Sequence, residues 1–278
     1  MPASRRILFL ALAAGAFLRL ALFLVVADSP EVLTTADQRD YILLAKYLAE
    51  HLDFGLGFQT ERTPLYPLFL ALCGAGSGVS LLGAVLVQNL LGGLAVYAVW
   101  RMGRLFSETA ADLAGVFAAL SLNLAACANQ MLTESLFVPL FAWGLFLLLR
   151  HAVQGRTRDL GWAAVVFGIC TLVRSATMYL PLFAAPYLLA RPGGGGGRRR
   201  LADAALFCVL FGLVLAPWLG RNAALYGRAG LTSQGAPHLL GWVVPGVAQY
   251  EEGLSLQQAM DKYSRIWVEH REALPPEV

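Results

Sequence analysis

Charged residues are scarce in this sequence. Only 14% of its 278 residues are charged, while 58% are hydrophobic and the mean hydropathy is +0.61. Soluble domains carry about 25% charged residues, and they avoid exposing large apolar patches to water. The composition therefore excludes an ordinary soluble domain and indicates a surface that contacts lipid.

Cysteine pairs and basic stripes are missing as well. No CxxC motif or Cys/His spacing occurs, and each cysteine falls in a different apolar stretch, as is typical of small buried side chains. These cysteines are Cys73, Cys127, Cys170 and Cys208. The net charge is only +3, and no basic stripe carries interleaved aromatic residues, so no nucleic-acid partner is expected.

Long apolar runs fill most of the chain. The first is longer than the apolar part of a cleavable signal peptide and lacks a convincing cleavage site, so it is interpreted as a signal anchor. About 20 helical residues cross a bilayer core. Seven runs predict spanning helices, the fourth to sixth being short: residues 7–27, 80–100, 111–128, 135–149, 160–173, 178–190 and 201–219. The prediction is an all-α polytopic integral membrane protein with about seven transmembrane helices and additional amphipathic helices on its outer surface.

The arginines predict the orientation, because cytoplasmic loops are enriched in Lys and Arg. With a cytoplasmic N-terminus, the short outer turns around Asn129 and Ser175 hold only Arg174. The inner arginines are Arg5, Arg6, Arg101, Arg104, Arg150, Arg156, Arg158, Arg191 and residues 198–200. We predict a transmembrane domain over 1–220, with a first outer loop at 28–79, followed by an outer polar segment at 221–278.

The first outer loop contains two predicted surface helices. Residues 37–52 have helical periodicity, which indicates an amphipathic helix on the outer membrane surface. Its apolar face consists of Tyr41, Leu44, Ala45 and Leu48. Residues 64–73 are apolar but too short to span, so they predict an interfacial or re-entrant helix that starts at Pro64 and Pro67. Residues 254–270 predict a further surface helix.

Three carboxylates are candidates for chemistry at the outer boundary. Asp37 and Asp40 follow the first span, where a carboxylate within reach of a hydroxyl can act as a general base. Taken alone, both would be ordinary solvated charges. Glu134 lies in the tight turn between the third and fourth spans, where a carboxylate near hydrocarbon requires a partner or a function.

Arginines at the same boundary are candidate phosphate ligands. Arg62 precedes a proline-rich helix start containing Tyr66, and Arg174 and Arg221 end the fifth and seventh predicted spans. Arg174 could pair with an anion or with a carboxylate such as Glu134. The alternative for these residues is that they anchor helix ends at the interface. Arg19 lies within the first span, so it should pair with a carboxylate or extend outward.

Carboxylates and arginines on one face suit a reaction that deprotonates a hydroxyl and releases a phosphate. The pattern resembles the GT-C glycosyltransferases that use polyprenyl-phosphate sugars, such as bacterial relatives of protein mannosyltransferases, aminoarabinose transferases and the galacturonosyltransferase-like group. The matching motifs, in the family's order, are Asp37 with Tyr41 four positions on, RTPLYPLFLA at 62–71, TESLF at 133–137, LVR ending at Arg174, and APWLGRN at 216–222.

This resemblance implies a GT-C fold and an inverting sugar transfer on the outer, periplasmic face of a bacterial inner membrane. Asp37 would be the base with Asp40 as the nearby alternative, and Glu134 would shape the acceptor site. The residues implied in substrate binding are Tyr41, Arg62, Tyr66, Arg174 and Arg221. The expected partners are a polyprenyl-phosphate-linked sugar, a lipid, glycan or protein acceptor, and membrane lipids.

The chain departs from the family pattern in two ways. It has Gln38 where many relatives carry Glu, so no metal and no other cofactor is assigned. It is also shorter than most members, which leaves open a truncated, non-catalytic GT-C-like subunit. A different class of protein, a transporter or flippase for lipid-linked saccharides, is the other alternative. A transporter would require ionisable groups at mid-bilayer or broken helices, and among ionisable residues the spans offer little beyond Arg19.

Overall fold

The structure is a computed structural model that describes residues 3–34, 36–54, 62–74, 81–191, 195–232 and 239–272. It is 85% helical, and no strand occurs in those ranges, which confirms the predicted all-α class. Residues 55–61 and 75–79 of the predicted first outer loop, residue 80 at the start of the second predicted span, and residues 233–238 and 273–278 of the predicted outer segment lie outside the described residues.

The described residues form twelve α-helices in chain order. They are α1 (Ala3–Asp28), α2 (Ala36–His51), α3 (Leu65–Leu72), α4 (Leu81–Gly103), α5 (Glu108–Ala119), α6 (Leu122–Ala128), α7 (Glu134–Gln154), α8 (Thr157–Val173), α9 (Leu180–Ala190), α10 (Gly197–Tyr226), α11 (Val244–Glu251) and α12 (Leu256–Glu272). Short 3-10 helices cover Pro30–Thr34 and Ser175–Tyr179, and a π-helix covers Leu239–Val243.

The predicted count of seven spans is not confirmed. Within the described ranges, four helices are long and apolar enough to cross a membrane, namely α1, α4, α7 and α10. A fifth span results if α5 and α6, which meet at a bend of 53°, are counted together. The remaining two predicted segments fall on α8, with 17 residues, and α9, with 11 residues. The 3-10 turn before α9 uses residues that the prediction had assigned to a span, and α10 continues beyond position 219 to Tyr226.

Alternating helix directions create two chemically different ends. At one end, Arg150 of α7 donates to both carboxylate oxygens of Asp159 in α8, each over 2.6 Å. At the other end, Glu134 at the start of α7 is paired with Arg174, directly after α8. The two helices are therefore antiparallel. We refer to these as the Arg150 end and the Asp37 end, since α2 with Asp37 lies at the latter.

The Arg150 end is held together by buried polar contacts. His151 is fully buried, and its Nε2 lies 3.6 Å from an Asp203 carboxylate oxygen in α10. Arg191, directly after α9, donates to the His151 carbonyl over 3.1 Å. These contacts join α7, α9 and α10 at this end of the bundle, and His151 Nε2 has no hydrogen-bond partner among the described residues.

The predicted surface helices are present, but the apolar face of α2 packs against protein. Tyr41 and Ala45 are buried in a cluster with Tyr66 and Leu70 of α3, so this face is not available to lipid headgroups. The α3 helix begins at Leu65 with Pro64 as its N-cap, as its prolines predicted. The α12 helix confirms the helix predicted near the C-terminus.

Close packing of α8 on α10 depends on a glycine. A Cβ atom at Gly168 would lie 2.8 Å from the Cβ of Val214 in α10. Gly168→Ala should therefore lower the free energy of unfolding by roughly 1–3 kcal/mol through overpacking. Thermal melting of the solubilised protein would measure the loss. Gly212→Ala on α10 is the matched control, because its Cβ meets nothing within 4 Å; equal melting of both variants would contradict the prediction.

Candidate active site

Arg62 is the centre of the candidate site. Its Nη2 lies 3.0 Å from an Asp37 carboxylate oxygen and 3.2 Å from an Asp40 carboxylate oxygen. Its Nη1 donates to the Tyr41 hydroxyl over 3.3 Å, and its guanidinium carbon lies 4.9 Å from the centre of the Tyr41 ring. The structure thus brings together four of the eight predicted site residues, with Asp37, Asp40 and Tyr41 contacting Arg62.

Helix geometry explains why the three α2 residues converge. Positions i, i+3 and i+4 share one helix face, which aligns Asp37, Asp40 and Tyr41. Asp37 is in the first turn of α2, where the helix dipole stabilises a negative charge. Its side chain is 66% exposed, whereas that of Arg62 is only 16% exposed. The carboxylate is therefore accessible, and the cation lies behind it.

Burial shapes the electrostatics of this cluster. Desolvation raises the pKa of Tyr41, so its phenol keeps the proton. Burial acts to lower the pKa of Arg62, but Tyr41 and Asp37 outweigh it and the pKa is raised overall. Because Arg62 donates to the phenol oxygen, the Tyr41 hydroxyl hydrogen can be directed to another acceptor.

Tyr66 of α3 packs against Tyr41 from the interior of the bundle. The two rings form an edge-to-face pair with centroids 5.1 Å apart, and Tyr66 is fully buried. Its hydroxyl donates to Gln88 Oε1 over 3.0 Å, and burial raises its pKa. Tyr66, which the sequence analysis predicts to contact substrate, is buried in this structure, and its ring packs against that of Tyr41.

Gln88 is a buried residue below the candidate site that the sequence analysis missed. Its Nε2 donates to the carbonyls of Ala128 and Gln130, each over 3.0 Å, which ties α4 to the turn before α7. Gln88 is fully buried. The signal in the sequence is a polar amide within a predicted apolar span.

Tyr66→Phe should destabilise the protein, since it leaves Gln88 Oε1 buried without its donor. Leaving a buried polar atom unsatisfied costs about 1–3 kcal/mol. The shift would be measured by thermal melting of the solubilised protein. Tyr47→Phe provides the control, because Tyr47 on α2 is 39% exposed and surface substitutions change stability within about 0.5 kcal/mol. Similar melting of both variants would show that the buried hydrogen bond is dispensable.

A second cluster contains the predicted pair of Glu134 and Arg174. Arg174 Nη1 donates to a Glu134 carboxylate oxygen, and also to the Thr133 hydroxyl over 3.3 Å. The Thr133 hydroxyl in turn lies 3.1 Å from the other Glu134 oxygen. The Arg174 and Glu134 side chains are 46% and 35% exposed, so both are accessible from outside the bundle.

Two buried hydrogen bonds join the clusters. The Thr63 hydroxyl, next to Arg62, donates to the carbonyl of Val173, next to Arg174, over 2.6 Å. The amide of Gln38, next to Asp37, accepts from the Met131 backbone N–H over 2.8 Å. Each of these hydrogen bonds therefore joins residues that lie within three positions of a predicted site residue in the sequence. In the sequence, Thr63 appears only as part of the motif at 62–71, with no role of its own.

Gln38 has a structural explanation. Besides accepting from Met131, its Nε2 donates to the Val32 carbonyl over 3.2 Å. An amide can donate and accept at once, whereas a carboxylate only accepts. The glutamine is therefore suited to holding α2 against two backbone segments. Within the described ranges, no group of three or more His, Cys, Asp or Glu side chains is arranged to hold a metal ion.

Arg221 lies apart from these clusters. Its Nη2 is 3.3 Å from an Asp53 carboxylate oxygen, and its guanidinium lies 4.9 Å from the Trp218 ring centre. Asp53 follows the far end of α2, which at 1.5 Å per residue is roughly 20 Å from Asp37. Arg221 therefore borders the same end of the bundle but does not contact the Arg62 cluster.

Arg19 does not behave as predicted. It is only 5% exposed, so it does not extend outward. Its Nη1 donates to the carbonyls of Gly15 and Ala119, over 3.2 Å and 3.3 Å. No carboxylate among the described residues lies within salt-bridge distance of it. Carbonyl oxygens of α1 and α5 replace the expected ionic partner, because α5 packs directly against α1.

A comparison with known protein families identifies the class. Residues 61–220 match the family described as dolichyl-phosphate-mannose-protein mannosyltransferase, which is part of the GT-C superfamily. The matched segment covers more than half of the chain and includes Arg62, Tyr66, Glu134 and Arg174. No curated protein matches the chain. Together, the helical membrane fold and this match show that the chain belongs to the dolichyl-phosphate-mannose-protein mannosyltransferase family of GT-C membrane glycosyltransferases.

Proposed function

We propose that the chain transfers a sugar from a polyprenyl-phosphate donor to an acceptor hydroxyl at the Asp37 end of the bundle. The observation that carries this proposal is the single cation, Arg62, bound to two partly exposed carboxylates. The Glu134–Arg174 pair lies beside it, through the Thr63–Val173 hydrogen bond. Family membership supports the transferase class, and the resemblance of the motifs supports the lipid-phosphate donor.

Asp37 is the proposed general base. Its carboxylate takes the proton of the acceptor hydroxyl, and the hydroxyl oxygen forms a bond to the anomeric carbon of the sugar. The bond between that carbon and the phosphate oxygen breaks from the opposite side, so the configuration inverts and the lipid phosphate leaves. Asp40 is the alternative base, but Asp37 is the more exposed of the two at 66% against 41%.

The arginines are proposed to stabilise charge on the departing phosphate. Positive groups placed where negative charge develops are among the largest contributions to catalysis. Arg62 and Arg174 are the best situated, because both adjoin the carboxylates. Arg221 is proposed to contact a more distant part of the substrate, and Glu134 to shape the acceptor side. Acceptors of the lipid, glycan and protein classes all offer the required hydroxyl.

The Arg174–Glu134 pair should matter more for activity than for stability. Ion pairs this exposed contribute about 0–1 kcal/mol to folding. Arg174→Gln should nevertheless lower sugar transfer by about 10²–10³-fold, the effect of removing one group that binds a developing anion. Transfer rates and melting temperatures of Arg174→Gln, Glu134→Gln and the double variant would be compared. If the transfer rate falls only in proportion to the amount of folded protein, the Arg174–Glu134 pair contributes to stability and not to catalysis.

We further propose that the Asp37 end faces the periplasm of a bacterial inner membrane, with a cytoplasmic N-terminus. The arginine distribution supports this orientation. Single cysteines would be introduced at exposed positions in a variant lacking the native cysteines. Glu50→Cys and Ala176→Cys should react with an impermeant thiol reagent from outside intact cells, whereas Arg156→Cys should not. Labelling of the first two from opposite sides would refute a single shared site.

The central test is transfer by the purified full-length protein in liposomes. Polyprenyl-phosphate sugars would be supplied with hydroxyl acceptors of the lipid, glycan and peptide classes, and mass spectrometry would identify the product. The same method would identify any lipid that co-purifies with the protein. A glycosylated acceptor together with released lipid monophosphate is expected. Absence of transfer with every donor, combined with stable co-purification of a second membrane subunit, would instead favour a non-catalytic subunit.

A further inference from the structure

The helical segment that follows α10 exposes an apolar stripe. The π-helix at Leu239–Val243 continues directly into α11, and large apolar side chains recur at helical spacing on one face of the combined segment. Their exposed fractions lie between 49% and 94%. A contiguous exposed apolar patch of this kind marks an interaction surface. This surface, called the C-terminal stripe below, consists of Leu239, Trp242, Val243, Val247 and Tyr250.

The opposite side of the same segment packs against protein. Pro245 and Ala248, about half a turn away from the stripe, are buried, and α11 packs against α12, where Ala259 is fully buried. Glu252, directly after α11, accepts from Lys262 Nζ of α12 over 2.6 Å. These contacts hold α12 behind α11, so α12 does not cover the stripe.

Charge divides this pair of helices into two sides. No Asp, Glu, Lys or Arg occurs between residues 229 and 250, which include the whole stripe. The exposed charged residues Asp261, Lys262 and Arg265 lie on α12, on the side away from α11. Protein interfaces usually have a polar rim, whereas an uncharged face with Trp and Tyr, backed by a charged face, is typical of a helix at a membrane surface.

The chain also returns to the membrane boundary before this segment begins. After α10 has ended at the Asp37 end, the Asn222 amide donates to the Gly230 carbonyl over 2.7 Å. Trp218 Nε1 donates to the Leu231 carbonyl over 3.1 Å. Leu231 therefore lies level with Trp218, at the end of the apolar part of α10. The stripe starts eight positions later, which is close enough in sequence for it to reach the bilayer surface.

We propose that the C-terminal stripe lies on the bilayer at the Asp37 end, with its side chains inserted between the lipids. The π-helix and α11 contain five and eight residues. Together they rise only about 20 Å, less than a hydrocarbon core of about 30 Å, so the segment lies along the surface and does not cross it. The apolar face of such a helix inserts about 5–10 Å into the boundary between headgroups and acyl chains. The α12 helix then lies on the water side of α11.

Fluorescence quenching of the full-length protein in liposomes tests this placement. In a variant lacking the native cysteines, a fluorophore would be attached through Val247→Cys in the stripe, Leu213→Cys on α10 or Ser264→Cys on α12. Leu213 is a lipid-facing reference, at 61% exposure within a candidate span, and Ser264 is an exposed reference on the charged helix. A phospholipid with a nitroxide on its acyl chain should quench the labels at 247 and 213. Iodide in the water should quench the label at 264 most.

A charge introduced beside the stripe provides a matched variant. Gly246 is exposed next to Val247, and a Cβ atom at this position meets nothing within 4 Å. Aspartate is no worse a helix former than glycine, so Gly246→Asp should keep α11 folded. The label at 247 should then lose its quenching by the lipid nitroxide and gain quenching by iodide. Ser264→Asp should leave the quenching of that label unchanged.

Three results would overturn the membrane contact. Iodide quenching at 247 equal to that at 264 would place the stripe in water. Protection of the label at 247 from both quenchers would mean that protein, such as a second copy of the chain, covers the stripe. Unchanged lipid quenching in Gly246→Asp would show that the contact does not depend on an apolar face. None of these readouts requires sugar transfer, so an absence of transfer would reject the proposed function alone.

Discussion

Asp37→Asn is expected to abolish most sugar transfer while the protein remains folded. Loss of a positioned general base typically lowers a rate by about 10²–10⁴-fold. The asparagine keeps the shape of the side chain, and its oxygen can still accept from Arg62, so the contact with the guanidinium survives. What is lost is the ability to take a proton from the acceptor hydroxyl. Initial rates in liposomes at saturating donor would measure the effect.

The controls separate the base from its neighbours. Asp40→Asn removes the other carboxylate bound to Arg62, and it should reduce the rate less than Asp37→Asn. Glu50→Gln removes an exposed charge from the far end of the same helix, and it should leave the rate unchanged. A larger loss in Asp40→Asn would make Asp40 the base, and full activity in both aspartate variants would reject this mechanism.

The pattern of apolar runs predicted the membrane class and the helix locations, but it could not predict how short helices are used. The α2 helix has the periodicity of a surface helix, and from the sequence alone its apolar face could pack against either lipid or protein. The contact between the Tyr41 and Tyr66 rings shows that this face packs against protein. Likewise, a break such as that between α5 and α6 depends on local capping by Ser121, whose hydroxyl accepts from the Leu124 backbone N–H.

For the candidate site, the sequence predicted charged residues better than it predicted their partners. Arginines and carboxylates near helix ends stand out against an apolar background, so Arg62, Glu134 and Arg174 could be recognised. The neutral residues that assemble them, Gln88 and Thr63, act through buried hydrogen bonds between segments far apart in sequence. Such pairings are determined by tertiary packing, which no local pattern encodes.

Arg62→Met should also lower sugar transfer strongly, because it removes three contacts at once. The carboxylates of Asp37 and Asp40 would lose their shared cation, and Tyr41 would lose the guanidinium over its ring. With the phosphate ligand also gone, transfer should fall by about 10²–10³-fold. Rates would be measured while the donor and the acceptor are titrated separately. Both substrate binding and turnover should be impaired, since Arg62 is proposed to bind the donor phosphate and to hold the carboxylates that act on the acceptor hydroxyl.

Arg62→Lys and Arg39→Met distinguish the geometry of the Arg62 guanidinium from its charge. Lysine keeps a positive charge but presents no fork of N–H groups, so it cannot bridge two carboxylates and a phenol in the same way. It should recover only part of the rate. Arg39→Met removes the same charge from an exposed position on α2, and it tests whether general surface charge matters. Full activity in Arg62→Lys would show that only the positive charge of Arg62 is needed. Equal losses of activity in Arg62→Met and Arg39→Met would show that Arg62 has no specific role in the site.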